Sequence, residues 1–326
     1  MDNVLRNFLI TLSQNELLNE AAQRWGLKLG AQQVVAGTNL DEVIENIKRL
    51  NALGISCTID HLGEFVNEES EIIYAKEQIL KVIEAIDSYG LNAHISVKLS
   101  QLGLDISYDI CLDNFKEIVQ KANEYGIFIN VDMEDHSRLE KSFAIIDALL
   151  PSYDNIGTVI QAYFYDAKDY MEKYANCRLR IVKGAYKESE KVAYQTKDDI
   201  DRNFIKLIEW HLLNGKFTSV ATHDHHVINH VKQFVKKHQI PRDKFEFQLL
   251  YGFREDVQKQ LVKEGYNMCT YVPFGKDWYG YFMRRLAERP QNINLLVKQV
   301  FNRRTNTMIG IGVAGFLLGR LSKKRK

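Results

Sequence analysis

The chain has 326 residues, 45% of them hydrophobic and 26% charged, with a formal net charge of +1. This balance fits a globular protein with room for one large α/β domain, and it excludes a global field that would gather nucleic acid or membrane. Any recognition of anions has to be local.

The opening MDNVLRNFLITL carries an acid at position 2 and only a short apolar run. It reads as an amphipathic helix rather than a signal peptide. Residues 1–53 read as helical throughout: NELLNEAAQRWGL is followed by NLDEVIENIKRLNALG, whose apolar residues recur at helical spacing and whose stop is Gly54. The four cysteines, Cys57, Cys111, Cys177 and Cys269, form no CxxC pair. That spacing argues against a disulfide framework or zinc ribbon and suits a reducing cytosol.

Beyond Gly54 a rhythm takes over. Runs rich in β-formers occur at residues 55–60, 93–99, 127–133, 158–164, 179–186, 217–223, 245–252 and 267–275, with amphipathic helical stretches between them. Eight strand–helix units with near-continuous apolar strands imply a parallel sheet covered by helices, and eight is the number that closes a (β/α)8 barrel. A doubly wound open sheet is the alternative, but its early glycine-rich turn is missing. The expected organisation is a helical segment at 1–53, a barrel at 54–306 and a tail at 307–326.

A barrel requires its chemistry at the C-terminal ends of the strands. Polar residues do fall there: Lys98 after strand 2, Asp132 and Glu134 after strand 3, Gln161 at the end of strand 4 and Lys183 after strand 5. Thr222, His223 and Asp224 follow strand 6, and Gln248 lies in strand 7. A buried charge is costly unless paired, so Lys98 and Asp132 on neighbouring strands predict a shared polar site. A structural ion pair is the plainer alternative.

After strand 8 comes YFMRRLAER. Tyr281, Arg284, Arg285 and Glu288 fall at i, i+3, i+4 and i+7, on one side of a helix beside an apolar stripe of Trp278, Phe282 and Leu286. Two guanidiniums at a barrel mouth suit a carboxylate or phosphate.

Two other signals compete. ATHDHHVINH holds His223, His225, His226 and His230, a pattern that invites a metallohydrolase reading, but no convincing ligand set accompanies it and no metal is expected. GIGVAG at 310–315 matches GxGxxG without room after it for a βαβ unit. Its surroundings read better as a short apolar run of roughly 18 Å followed by Arg320, Lys323, Lys324, Arg325 and Lys326. Too short for a hydrocarbon core of roughly 30 Å, it suits peripheral contact with anionic lipid, with a frayed or core-docked tail as the equal alternative.

The blocks HISVKLSQLG, NVDMED, VIQAYFYDA, RIVKGAYKESE, ATHDHH, FEFQLLYGF, YVPFG and YFMRRLAER, in that order, resemble those of the flavin-dependent proline dehydrogenases over roughly residues 55–290. The resemblance implies a distorted (β/α)8 barrel with extra N-terminal helices, binding FAD and oxidising L-proline to Δ1-pyrroline-5-carboxylate. Arg284, Arg285 and Lys98 would hold the substrate carboxylate, while Tyr271 and Leu250 would line the pocket with Tyr271 near C4. Tyr281, Glu288 and Asp132 would orient the basic side chains. Arg180 would lie near the flavin N5; with Asp132 it is assigned to the reaction itself. Met133, Gln161, Lys183, Gly184, Ala185, Thr222 and His223 would complete the cofactor site. The resemblance further implies a membrane quinone as electron acceptor and a separate pyrroline-5-carboxylate dehydrogenase downstream. The expected location is the cytoplasm, with contact at the inner face of the plasma membrane. A barrel that has lost its chemistry and serves as a scaffold is the non-enzymatic alternative, and it would bind no flavin.

Overall fold

A computed structural model describes residues 33–288 apart from 64, 65 and 67. The first 32 residues, GIGVAG at 310–315 and the tail at 307–326 lie outside the described residues, as do the side chains of Arg284 and Glu288. Gln33–Lys276 makes one compact unit, and the helix Trp278–Glu288 belongs to a second.

The first unit is a closed barrel of eight parallel strands in sequence order. They are β1 (Ser56–His61), β2 (Ala93–Val97), β3 (Ile129–Val131), β4 (Ile156–Gln161), β5 (Arg178–Val182), β6 (Phe217–Ala221), β7 (Phe245–Leu250) and β8 (Met268–Phe274). Closure comes from β8 pairing with β1 over six residues, from Ser56 opposite Cys269 to His61 opposite Phe274. The eight strands of the sequence pattern are all present. Six of them stop two to four residues earlier than the pattern predicts, at Val97, Val131, Gln161, Val182, Ala221 and Leu250. Beyond those points the backbone leaves the ladder, as at the 3₁₀ turn Leu99–Leu102 after Lys98.

Helices α1 (Leu40–Asn51), α2 (Glu69–Ser88), α3 (Tyr108–Glu124), α4 (Leu139–Leu149), α5 (Ala167–Lys173), α6 (Lys197–Asn214), α7 (His225–Lys237) and α8 (Glu255–Lys263) surround the strands. Their starts are written locally: Asn39, Ser107 and Thr196 each accept a backbone N–H as N-caps, and Glu68 with Glu71 closes a capping box at α2. The helix α1, within the segment that the sequence reading set apart at 1–53, buries Val43, Ile44, Ile47 and Leu50 in the core and packs against both β1 and β8. Ala36 N–H donates to the Pro273 carbonyl (2.9 Å), and Tyr251 Oη donates to Asn46 Oδ1 (2.8 Å). The helix over the β8–β1 seam therefore precedes the barrel in sequence.

Strand side chains alternate between two faces. Cys57 and Ile59 turn outward into the helix layer, while Thr58 and Asp60 turn inward. The inner face is polar rather than packed with branched apolar side chains, the usual filling of such a barrel. Near its N-terminal end Glu246 accepts from Arg178 (2.5 Å), Ser219 (2.8 Å) and Gln248 (2.5 Å). The Arg178 guanidinium sits over the rings of Phe128 (4.7 Å) and Phe217 (4.4 Å).

Candidate active site

At the C-terminal ends of β1, β2, β3, β5 and β8 the inward side chains form one cluster. The Lys98 ammonium donates to Asp60 Oδ2 (2.9 Å) and Asp132 Oδ2 (3.1 Å). The Tyr271 hydroxyl donates toward the same two oxygens, at 2.6 and 3.1 Å, and lies 3.3 Å from Lys98 Nζ. The other oxygen of Asp132 accepts from Arg180 Nη1 (2.8 Å) and Ser96 Oγ (2.7 Å). Arg180 Nη2 reaches Thr58 Oγ1 across the barrel at 3.1 Å, and its ring-facing carbon lies 5.2 Å from the Tyr271 centroid. The predicted pairing of Lys98 with Asp132 is therefore present.

Two carboxylates and two cations share this small volume, with Asp60 fully buried. Burial lifts the Asp60 carboxyl; Lys98 pulls it down, the neighbouring Asp132 pushes it up, and it ends above the usual carboxylate range. For Asp132 burial acts the same way, but Lys98 and then Arg180 outweigh it and the carboxyl ends below its ordinary value. The difference follows from the partners: Asp132 faces two cations, Asp60 one. Burial, together with the charges of Asp132 and Asp60, holds the Tyr271 phenol well above its usual value, so it stays a donor.

Asp60, Thr58 and Ser96 were not among the residues picked from the sequence. A signal for Asp60 existed: it ends the run ISCTID much as Asp132 follows INV. Lys98, expected to give the substrate carboxylate a third positive contact, touches two carboxylates of its own chain.

Around the mouth from β4 to β7 lies a second set of groups. Gln161 Nε2 donates to the carbonyls of Met133 (3.2 Å) and Glu134 (2.7 Å), and its Oε1 accepts from Ala185 N–H (3.2 Å). Lys183 pairs with Asp201 at 2.5 Å and lies 3.6 Å from Asp224. Gly184 has φ +120°, and a Cβ there would sit 1.8 Å from the Tyr163 ring, so only glycine fits. Thr222 Oγ1 accepts from Asp224 N–H (3.1 Å), His223 Nε2 accepts from Leu250 N–H (3.3 Å), and Arg254 donates to the His223 carbonyl (2.7 Å). Arg180 Nε is buried with no hydrogen-bond partner among the described residues. These amide, ammonium, hydroxyl and guanidinium donors fit a large anionic cofactor with a polar ring edge.

The histidines of ATHDHHVINH take separate places. His225, His226 and His230 lie on α7, where His230 Nε2 meets Glu209 at 2.7 Å. Among the described residues no three metal-ligating side chains gather.

Helix α9 (Trp278–Glu288) carries Tyr281, Arg284, Arg285 and Glu288, as their spacing predicts. Within it the Arg285 guanidinium lies 5.1 Å from the Tyr281 ring centroid, and Trp278 meets Phe282 edge-on at 5.8 Å.

Known proteins agree with this architecture. The family model described as proline dehydrogenase matches residues 43–296. Proline dehydrogenase 2 of Bacillus subtilis (strain 168) is 45% identical over 297 residues, covering 90% of this chain and 98% of the relative. The proline dehydrogenase of Deinococcus radiodurans is 38% identical over 307 residues, 91% of this chain and 98% of that one. In fold, the chain is similar to proline utilization A (PutA) from Bdellovibrio bacteriovorus inactivated by N-propargylglycine. The TM-score there is 0.76 at 23% identity, covering 94% of this chain and 38% of that one. With the barrel closed in the same way and the matched segment spanning most of the sequence, the chain belongs to the proline dehydrogenase family.

Proposed function

We propose that the protein oxidises L-proline to Δ1-pyrroline-5-carboxylate with FAD as its bound cofactor. The observation that carries this reading is the buried group of Lys98, Asp132, Arg180 and Tyr271 at the C-terminal strand ends, in a chain of this family. Gln161, Lys183, Gly184, Ala185, Thr222 and His223 would hold the cofactor, with Met133 against it. Arg180 would present its remaining donor, Nε, to the ring. When bound, FAD supplies the two-electron acceptor for the hydride that leaves C5.

The chain's own residues have three tasks. Arg284, Arg285 and Lys98 bind the carboxylate, with Tyr281 and Glu288 orienting the arginines. Tyr271 and Leu250 bound the substrate ring, and Asp132 keeps Lys98 and Arg180 in fixed relation, so that positioning lowers the barrier. The amine must lose a proton before its lone pair can form the C=N bond, and cations around the substrate favour that loss.

The electrons are proposed to pass to a membrane quinone, and the product to a separate pyrroline-5-carboxylate dehydrogenase. The basic tail at 307–326 is proposed to rest on anionic lipid at the inner face of the plasma membrane, with the barrel in the cytoplasm. Among the described residues no helix is long and apolar enough to cross a membrane. One spectrum tests the central reading: the purified protein is expected to be yellow and to bleach on anaerobic addition of L-proline. A colourless protein, or a flavin that proline leaves oxidised, would overturn it. Removing 307–326 should release the protein from anionic vesicles with dye-linked activity intact; undiminished vesicle binding excludes the tail as anchor.

A further inference from the structure

Asp60 is a fully buried carboxylate that neither the family blocks nor the charge pattern singled out. It lies on β1, in register with Ser96 of β2 on one side and Pro273 of β8 on the other. Those neighbouring strands lead to Lys98 and carry Tyr271. One oxygen of Asp60 accepts from both, from Lys98 Nζ at 2.9 Å and from Tyr271 Oη at 2.6 Å. Its other oxygen has no partner among the described residues. Asp132 touches the same two groups at 3.1 Å each but divides its interactions with Arg180 and Ser96. Among the described residues Asp60 is thus the carboxylate committed to Lys98 and Tyr271 alone.

We propose that Asp60 is a positioning residue: by holding the Lys98 ammonium and the Tyr271 hydroxyl on one carboxylate oxygen, it makes the group that grips the substrate and the wall that limits substrate size a single rigid unit. A carboxylate buried for stability alone is a poor solution, because apolar side chains of similar volume usually serve as well. What it adds is geometry. A tyrosine ring fixed at its hydroxyl cannot tilt away to admit a larger substrate, and an ammonium fixed by the same oxygen cannot follow a misplaced carboxylate. This inference rests on the proposal that Lys98 and Tyr271 border the proline site, and it adds a source of discrimination against ring-substituted prolines such as 4-hydroxyproline.

The test compares kcat/KM for L-proline and trans-4-hydroxy-L-proline in wild type, Asp60→Asn, Tyr271→Phe and the double variant, each checked for bound flavin. Loss of one charge-assisted hydrogen bond is worth about tenfold. Asp60→Asn is expected to lower the proline preference by about that factor, with KM for proline raised more than kcat is lowered. Tyr271→Phe, which keeps the ring and removes the hydroxyl held by Asp60 at 2.6 Å and Asp132 at 3.1 Å, should lower the preference similarly, and the double variant should lose little more than either single one. An unchanged preference in Asp60→Asn overturns the proposal, and so do effects that multiply in the double variant. If Asp60→Asn does not fold, Tyr271→Phe decides alone: a wild-type preference there overturns it. Wild-type protein that does not oxidise proline sinks the underlying reading as well, whereas an active wild type with insensitive variants sinks only the role of Asp60.

Discussion

Arg180 donates to Asp132 at 2.8 Å from a strand two places away in the barrel, so one ion pair bridges β3 and β5 across the interior. The pair does not stand alone, since the other carboxylate oxygen holds Lys98 at 3.1 Å. Asp132 is therefore an anion shared by both cations. Replacing it with alanine takes the ion-pair partner from buried Arg180 and one carboxylate from Lys98, which keeps Asp60. Breaking a buried pair from one side costs about 3–5 kcal/mol. Urea unfolding of Asp132→Ala should show a loss of that order, and a loss below about 1 kcal/mol would mean that the cluster is far more hydrated than its geometry implies.

Lys98 and Arg285 are proposed to share the substrate carboxylate, and their variants should separate binding from cofactor retention. Lys98→Met and Arg285→Met each remove a charge-assisted contact worth about 1.5–3 kcal/mol, a factor of roughly 10–100 in kcat/KM. The effect should fall mainly on KM for proline while the flavin absorbance per protein stays at the wild-type level. Flavin lost from either variant would assign that residue to the cofactor instead.

Gly184 gives a prediction independent of substrate. Its φ of +120° disfavours any side chain, and an added Cβ would meet Cδ1 of Tyr163 at 1.8 Å, well inside contact distance. The loop after β5 must then shift, taking with it Lys183 and the Ala185 N–H that donates to Gln161. Gly184→Ala is expected to destabilise the protein by about 2 kcal/mol or more and to lower its flavin content. Wild-type stability in thermal unfolding would show that Tyr163 yields freely.

Much of this is legible in the sequence. Strand order followed from eight apolar runs separated by amphipathic helices, and Lys98 with Asp132 followed from charges at adjacent strand ends. Asp60 was hidden because its partners stand 38 and 211 residues away, and a lone acid closing an apolar run says nothing of them. The polar interior escaped for a similar reason. Thr58 and Ser96 are unremarkable strand residues until Arg180, 122 and 84 positions further on, reaches across to both. Nor did periodicity say that α1 would lie over the β8–β1 seam, because an amphipathic stripe shows that a face is buried and not what buries it.

Buried histidines set an acid limit on stability. His211 on α6 is fully buried, with Nδ1 on Thr218 Oγ1 at 2.8 Å, and burial lowers it from 6.5 to about 4. His61 at the end of β1 is lowered to about 4 by the same cause. A folded-state pKa below the unfolded one means that the unfolded chain takes up the proton first. The stability from keeping each ring neutral is therefore fully present above about pH 6.5, and it is lost as pH falls toward 4. A shift of about 2.5 units corresponds to roughly 3 kcal/mol per histidine, with a slope of at most about 1.4 kcal/mol per pH unit each. Asp60 acts with the opposite sign: its raised carboxyl favours the folded state at low pH, and that contribution is lost as pH rises through its folded value. Urea midpoints between pH 7 and pH 4.5 should fall for the wild type. In His211→Gln, which retains an acceptor for Thr218 and has no proton to gain, the fall should be shallower by about one proton's slope. Parallel curves for the two proteins would place the His211 pKa near its unfolded value and remove burial as the cause.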